Sequence, residues 1–389
     1  MKLSVLQIIA GLDPAAGGPP ASAVATALAL RGQGVMNEFA FPVERGREDT
    51  VAAFVAKLQA NGISVHTFKQ PRVFGSYGRR WGISPRLGFW ALRNGSRFDV
   101  IHVHSSWTFT TVVGLLSAKM HRRVAVLSTH ESLTDFDRKK SGPFHGRIKR
   151  FLRWLYMRSF DVVVVASALE QSDMRDPAGL RSVVVPHAVI GVSGRRRGPS
   201  NGDELRVGFL GRLHPKKNLE LLIDALALLP EHVSLHVAGD GPPAYRESLV
   251  SRAMSRGVAT RIRWLGFVEG AEKFQFLASI DVLAMPSAFE CFGVAAVEAL
   301  SAGVPVIVSS RVGVADVVVE YRCGRVVAAA APEIARALGE LMKDSSRRHQ
   351  LSENARLAAA REFSIGTHGE RIKAEYEGAL GARRERSRT

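Results

Sequence analysis

The chain is expected to be α/β, with two doubly wound, Rossmann-like domains facing a central cleft. Three observations lead there. Short, nearly continuous Val/Ile/Leu runs recur along the whole sequence, helical stretches separate several of them, and a Gly/Ser/Arg-rich break divides the alternation into halves of similar size. Such runs suit parallel strands buried on both faces, and strand–helix alternation on this scale suits doubly wound sheets. At 389 residues the chain also exceeds the usual size of a single hydrophobic core.

The first half supplies the strands LSVLQIIA, FDVIHVHS, VAVLST and DVVVVAS. The second supplies LRVGFLG, VSLHVAG, IRWLGF, DVLAMPS and VPVIVSS, while NLELLIDALALL and ALEQSDMRD carry helical periodicity. The break, GVSGRRRGPSNGDE, has no apolar period, and a fresh strand starts at Leu205. The domains are therefore placed at 1–190 and 205–365, with a linker at 191–204. Residues 366–389 form a C-terminal helix and basic tail, the helix being a candidate to cross back to the N-terminal domain. From about Pro332 the pattern is helical, and the closing RRERSRT reads as disordered. In such a fold a ligand sits outside the carboxyl ends of the strands.

Composition excludes several classes. With 46% apolar and 23% charged residues the chain is an ordinary soluble globular protein. Its two cysteines, Cys291 and Cys323, are too few for a disulfide framework and suit a reducing compartment. The N-terminus MKLSVLQIIAGLDPAAGG breaks early into Asp, Pro and Gly, as a first strand and loop would, not a signal peptide. The uncharged stretch from Val100 to Ala118 holds His102, His104 and a Thr-rich patch, which argues against a membrane span. Lys and Arg number 53 against 36 acids, a net +17. That surplus favours polyanionic partners: nucleic acid, anionic lipid headgroups or phosphorylated substrates. An Arg-rich genome would leave the same trace.

Residues 289–308, FECFGVAAVEALSAGVPVIV, place two glutamates in a stretch that otherwise looks like core. Ionised carboxylates are costly to bury unless paired or hydrogen-bonded. Glu290 follows the strand DVLAMPS, and the spacing after it predicts a helix starting near Gly293. A glycine there admits close approach of a ligand, and the free N–H groups of the first turn make an anion site. Glu298 falls one and a half turns in. The pair can bind sugar hydroxyls around a phosphate. On the residues alone, a capping carboxylate at Glu290 and a solvated helix face at Glu298 fit equally well.

A second constellation tips that balance. LRVGFLGRLHPKKNLELLIDAL puts Gly211, Arg212 and Lys217 between a strand and a helix, where two cations can neutralise a diphosphate. No Walker pattern, G-x-x-x-x-G-K-[ST], occurs in the chain. Gly17 and Gly18 lie between the first strand and a helix, without the G-x-G-x-x-G of a dinucleotide fold.

Gly-Gly near the N-terminus, then GRLHPKKN, VAGDGP and PSAFECFGVAAVEALSAGVPVI, resembles the retaining glycosyltransferases of the GT-B fold. The similarity is to the large family-four group defined by a Glu-x7-Glu motif, and it covers nearly the whole chain. It implies that Glu290 contacts the donor sugar's hydroxyls and Glu298 the nucleotide's ribose. Arg212 and Lys217 would hold the diphosphate, aided by the amides of Phe292, Gly293 and Val294, with Gly17 and Gly18 admitting diphosphate or acceptor. His130, in VLSTHESL, matches a histidine near the donor sugar. The catalytic set implied is thus His130, Arg212, Lys217 and Glu290. The resemblance further implies a nucleotide-diphosphate sugar as co-substrate, no cofactor, no metal, and front-face substitution with the donor phosphate assisting acceptor deprotonation. His102 and His104 share a strand face, but no third metal ligand stands at suitable spacing. Two departures touch the choice of nucleotide and sugar: Gly313 and Asp316 replace a Gly-Gly-x-x-Glu, and His187 and Ala188 replace an Asn-Gly.

The acceptor is expected to be a glycan or a lipid-linked molecule, held by the N-terminal domain. Residues 72–97 hold six arginines, and 138–158 eight basic residues; neither contains an acid. Their interleaved aromatics and amphipathic pattern suit an anionic membrane surface, hence a cytoplasmic protein peripheral to the inner face of the cell membrane. A helix packed in its own domain with a solvated basic face is the alternative. A nucleic-acid-binding protein would need a reading module, and no zinc, RNP or helix-turn-helix pattern is present. An epimerase of the same fold is disfavoured by the paired glutamates and cationic loop, and a phosphorylase would need lysine-bound pyridoxal phosphate and a longer chain.

Overall fold

A computed structural model describes residues 2–13, 18–71, 81–134, 151, 154–174, 181–189 and 204–386. The chain divides into two compact units: unit 1, Met1–Ala188 with Ile365–Thr389, and unit 2, Val189–Ser364. Of the segment expected as a linker, 191–203 lies outside the described residues.

Unit 1 runs β1 (Ser4–Ile8), α1 (Gly18–Gly32), β2 (Met36–Val43), α2 (Glu48–Ala60), β3 (Ser64–Lys69), α3 (Pro85–Asn94), β4 (Val100–His104), α4 (Phe109–Met120), β5 (Val124–Ser128), β6 (Val162–Val165), α5 (Ala168–Met174) and β7 (Ser182–Val184). These strands form one parallel sheet in the order β3-β2-β1-β4-β5-β6-β7. Every position of β4, β5 and β6 is buried, which is why their apolar runs are unbroken.

Unit 2 runs β8 (Leu205–Leu210), α6 (Leu219–Ala227), β9 (Val233–Ala238), α7 (Pro243–Ser255), β10 (Ile262–Gly266), α8 (Gly270–Ser279), β11 (Val282–Met285), α9 (Val294–Ser301), β12 (Val306–Ser309), α10 (Ala315–Glu320), β13 (Gly324–Val327), α11 (Ala331–Lys343) and α12 (Ser345–Glu362). Its parallel sheet has the order β10-β9-β8-β11-β12-β13. In both sheets the order reverses between the first and fourth strands, so β1/β4 and β8/β11 are the switch points where loops diverge and leave a crevice.

A last helix, α13 (Ile365–Arg386), belongs to unit 1. Its Ile372, Tyr376 and Ala379 are buried among Val5, Leu30, Val100 and Val124. The expectation of a disordered RRERSRT is corrected over its first four residues, which continue α13 to Arg386. Arg383 anchors them, donating to the Arg123 carbonyl at 2.6 Å and to Asp161 at 3.2 Å.

Among the described residues no helix is long and apolar enough to cross a membrane. Of the two basic stretches, 72–80, 138–150, 152 and 153 lie outside the described residues. What remains shows both faces expected of an amphipathic segment: Met157 is fully buried, while Phe151, Trp154 and Leu155 are exposed.

Candidate functional site

Unit 2 builds its site at the β8/β11 switch point. After β8 the chain turns through Gly211, whose N–H donates to the Ala238 carbonyl at 3.0 Å. The glycines of VAGDGP explain themselves here. A Cβ at Gly239 would lie 1.9 Å from the Gly211 oxygen, and one at Gly241 would lie 2.3 Å from the Leu213 oxygen. Only glycines let the two loops pack backbone against backbone.

The following turn, Pro215–Lys217, is held from both sides. His214 Nδ1 accepts from the Lys216 N–H at 3.1 Å, and Asn218 adopts the left-handed conformation with φ 53°. Asn218 Nδ2 donates to the Pro286 carbonyl at 2.9 Å, and the Ala288 N–H donates to the Lys216 carbonyl at 2.8 Å. The loop after β8 is thereby stapled to the loop after β11, which brings the lysines to Glu290.

Glu290 is pinned through its backbone to the loop after β12. Its N–H donates to the Arg311 carbonyl and its own carbonyl accepts from the Gly313 N–H, both at 2.9 Å. Its Oε1 lies 2.8 Å from Lys217 Nζ and 3.9 Å from Lys216 Nζ. The Lys217 contact is an ion pair whose alignment falls short of a hydrogen bond, so a solvent-shielded oxygen keeps unused acceptor capacity. Two residues on, Phe292 is buried edge-on against Phe363, with ring centroids 5.6 Å apart. Gly293 precedes α9 at φ 100°, and a Cβ there would meet Val312 Cγ1 at 2.7 Å. No side chain caps α9, which leaves the first-turn amides, Val294 among them, for an anion.

Glu298 is not a solvated helix face. Its Oε1 accepts from Lys273 Nζ of α8 at 2.5 Å. Arg212 stands exposed on the β8 loop. Of the expected residues, then, the structure joins Lys217 to Glu290 and sets Phe292, Gly293 and Val294 at the start of α9. Lys216 and Lys273 are additions. The Lys-Lys pair was a visible signal for the first; nothing in AEKFQF marks the second.

Unit 1 concentrates unusual chemistry at the carboxyl ends of β4 and β5. Ser105, Trp107, His130 and Glu131 all have positive φ, between 47° and 71°. Each such residue costs roughly 1–3 kcal/mol and persists only where its surroundings enforce it. Buried Glu170 enforces two of them: Oε1 accepts from the Thr129 hydroxyl and the Glu131 N–H, and Oε2 from the Ala166 N–H, all at 2.7 Å. Burial raises its carboxyl pKa. Its neighbours in ALEQSDMRD gave no hint of this role.

His130 Nε2 lies 3.2 Å from His104 Nδ1, and its ring stacks on His187 with centroids 5.0 Å apart. His102 is engaged at both nitrogens, with Ser128 Oγ at 2.8 Å and the Tyr376 hydroxyl at 2.6 Å. Burial, reinforced by neighbouring imidazoles, pushes His102 down to about 3 and His104 well below its usual value, so both are neutral. Among the described residues no group of three His, Cys, Asp or Glu side chains is placed to hold a metal ion. Gly18 is the first residue of α1, and Gly17 lies outside the described residues.

Comparison with known proteins now bears on this arrangement. The family model described as Glycosyl transferases group 1 matches residues 194–358, and that described as Glycosyltransferase Family 4 matches 16–190. Among curated relatives, the uncharacterized glycosyltransferase MJ1607 of Methanocaldococcus jannaschii is 37% identical over 118 residues, 30% of each chain. The D-inositol 3-phosphate glycosyltransferase of Corynebacterium efficiens is 28% identical over 315 residues, 75% of this chain and 73% of that one. The structure of Anabaena Alr3699/HepE in complex with UDP and glucose superposes with a TM-score of 0.76 at 22% identity, covering 97% of this chain and 100% of that chain. With the two family models tiling both units, and the motif residues of unit 2 assembled at its switch point, the chain belongs to the family-four glycosyltransferases of the GT-B fold.

Proposed function

We propose that the protein transfers a hexose, with retention of anomeric configuration, from a nucleotide-diphosphate sugar to a glycan or lipid-linked acceptor in cell-surface polysaccharide or glycolipid synthesis. The observation that carries this reading is Glu290, held against Lys217 beside the uncapped start of α9 with acceptor capacity to spare. Sugar hydroxyls are donors that such an oxygen can take, and a diphosphate is the anion that Arg212, Lys217 and the α9 amides can take. Glu298 then anchors the ribose, with Lys273 orienting its carboxylate. As the bond to the leaving group breaks, negative charge grows on the diphosphate, and each well-placed donor stabilises that state by about 2.7–4 kcal/mol. On the front-face route the donor phosphate takes the acceptor's proton, and His130 contacts the sugar. The cations take the part a divalent metal would otherwise play, so none is required.

The test is a panel of nucleotide sugars, beginning with UDP-glucose because the HepE structures contain UDP, UDP-glucose or UDP with glucose. Nucleotide release that is retained in excess chelator and abolished by Lys217→Ala in a folded variant is the expected result. An inverted product anomer by NMR would overturn retention. Activity lost to chelator and restored by magnesium or manganese would overturn metal independence.

The acceptor reading extends to an anionic membrane, on the inner face of the cell membrane, favoured by exposed Phe151, Trp154 and Leu155 within a basic stretch. Each basic side chain near such a surface adds on the order of 1 kcal/mol, screened over about 8–10 Å at physiological salt. The protein should sediment with anionic but not neutral vesicles, and replacing Arg147, Lys149, Arg150 and Arg153 by Ser should release it. Equal binding to both vesicle types removes the membrane from the reading.

A further inference from the structure

We infer that a one-way hydrogen-bond chain in unit 1, from the Ala27 carbonyl through Asn37, Gln7 and His104, fixes His130 as its Nε2–H tautomer and leaves Nδ1 as a bare acceptor. This makes Gln7, Asn37 and His104 positioning residues for His130, and it rests on the reading of His130 as a site residue.

The direction of every link follows from the first. A backbone carbonyl only accepts, so the Asn37 atom 3.2 Å from the Ala27 oxygen is the amide nitrogen. Asn37 Oδ1 therefore faces Gln7, whose Nε2 donates to it across 3.4 Å. That orientation turns Gln7 Oε1 toward His104 Nε2 at 3.0 Å. An amide oxygen only accepts, so the ring proton of His104 sits on Nε2. His104 is buried and held neutral, so its other nitrogen, Nδ1, has a lone pair and no proton. That lone pair lies 3.2 Å from His130 Nε2, which must donate to it. Reversing Asn37 would set oxygen against oxygen at the Ala27 carbonyl, and reversing Gln7 alone would set its oxygen against Asn37 Oδ1.

Two further facts argue that the chain is selected. Gln7 and Asn37 lie on neighbouring strands β1 and β2 and are 0% and 6% exposed. Amides placed in the core of a parallel sheet break its apolar pattern and cost stability unless each is satisfied. Such local violations mark functional sites. Moreover, the chain ends at a half-buried ring on a left-handed residue, whose Nδ1 has no partner among the described residues. A bare Nδ1 accepts from a ligand hydroxyl; the other tautomer would offer a proton instead. The bonds from Asn37 through Gln7 and His104 thus decide which of these His130 does.

Long-range 1H–15N correlation spectra of 15N-histidine-labelled protein read the tautomer directly, with His130→Asn assigning the signals. The expected result at neutral pH is Nε2 protonated and Nδ1 bare in both His104 and His130. Gln7→Leu removes the acceptor that holds the His104 proton, so a His130 population protonated at Nδ1 should appear. Turnover should then fall at least about tenfold with KM little changed. Gln7→Glu, entering the core as a neutral acid, can donate to Asn37 and accept from His104, and should restore both tautomer and turnover. A His130 protonated at Nδ1 or on both nitrogens in the unaltered protein overturns the inference, as does a Gln7→Leu variant with unchanged tautomers. If the tautomers shift as stated while transfer is untouched, the chain stands as a tautomer lock, and the placing of His130 in the site is what fails.

Discussion

Lys217 faces two claims on its charge. It pairs with Glu290 at 2.8 Å, and on the proposed function the same ammonium also holds the diphosphate. Donor binding would then redistribute a pair already largely desolvated, with side chains 20% and 13% exposed. Glu298 is held in the same manner by Lys273, so both motif carboxylates are presented by a lysine from another element. If Glu298 anchors the ribose, it acts in the ground state, and Glu298→Ala should raise the donor KM with kcat nearly unchanged. A hydrogen bond to a charged group is worth about 1.5–3 kcal/mol, so the expected loss of affinity is roughly 10- to 150-fold. Lys273→Met should give a smaller loss of the same kind, because it leaves the carboxylate and removes only its orientation. Glu290→Ala should instead lower kcat, as expected of a group that holds the reacting sugar. Steady-state kinetics on the three variants and nucleotide calorimetry separate these patterns, and unaltered donor affinity in Glu298→Ala would remove it from the site.

At the scale of elements, legibility followed burial. The nine strands read from the sequence all form. Eight are buried over nearly their whole length, and strands covered on both faces must be written in unbroken Val, Ile and Leu. The ninth, β10, is an edge strand that is mostly exposed or half-covered. The structure adds β2, β3, β7 and β13. β3 and β7 are edge strands whose residues are exposed or half-covered, and β13 is half-covered throughout, so their sequences need no apolar run. β2 is well buried, but Asn37, Glu38 and Pro42 interrupt its pattern, and Asn37 accepts from Gln7 where an apolar side chain would have extended the run. The site divides in the same way. Lys217 and Glu290 were readable because each lies in a compact loop motif tied to one strand end. Gln7, Glu170 and Lys273 were not, since what each does depends on which strand or helix becomes its neighbour. α13 shows the limit of composition: RRERSRT looks like a solvated tail, but the helix continues through Arg386, with Arg383 bonded to the Arg123 carbonyl and to Asp161 of unit 1.

Across the whole molecule, titratable groups are distributed unevenly, and this sets a pH dependence. Unit 1 buries His102, His104, His187 and His368, all held neutral by desolvation; His102 is pushed down to about 3 and His368 to about 4, from an ordinary 6.5. The unfolded chain takes up protons near 6.5 that the folded chain refuses. Their contribution to stability is therefore complete above about pH 6.5 and is lost as the pH falls toward 3–4. Each such histidine costs about 1.4 kcal/mol per pH unit below its unfolded value. Glu170 acts in the opposite sense, since its folded pKa is raised, and offsets part of that slope at the acid end. In unit 2 burial holds His236 below its ordinary value. Unit 1 should thus lose stability first, beginning near pH 6, well before carboxylates titrate. Four of the five tryptophans, Trp81, Trp90, Trp107 and Trp154, belong to unit 1, so tryptophan fluorescence reports on it and Trp264→Phe makes that report exclusive. Denaturant midpoints followed in that variant should fall steadily between pH 7 and pH 5. Midpoints that stay level over this range would show that the imidazoles of unit 1 take up protons without unfolding it, and that they are less enclosed than their contacts indicate.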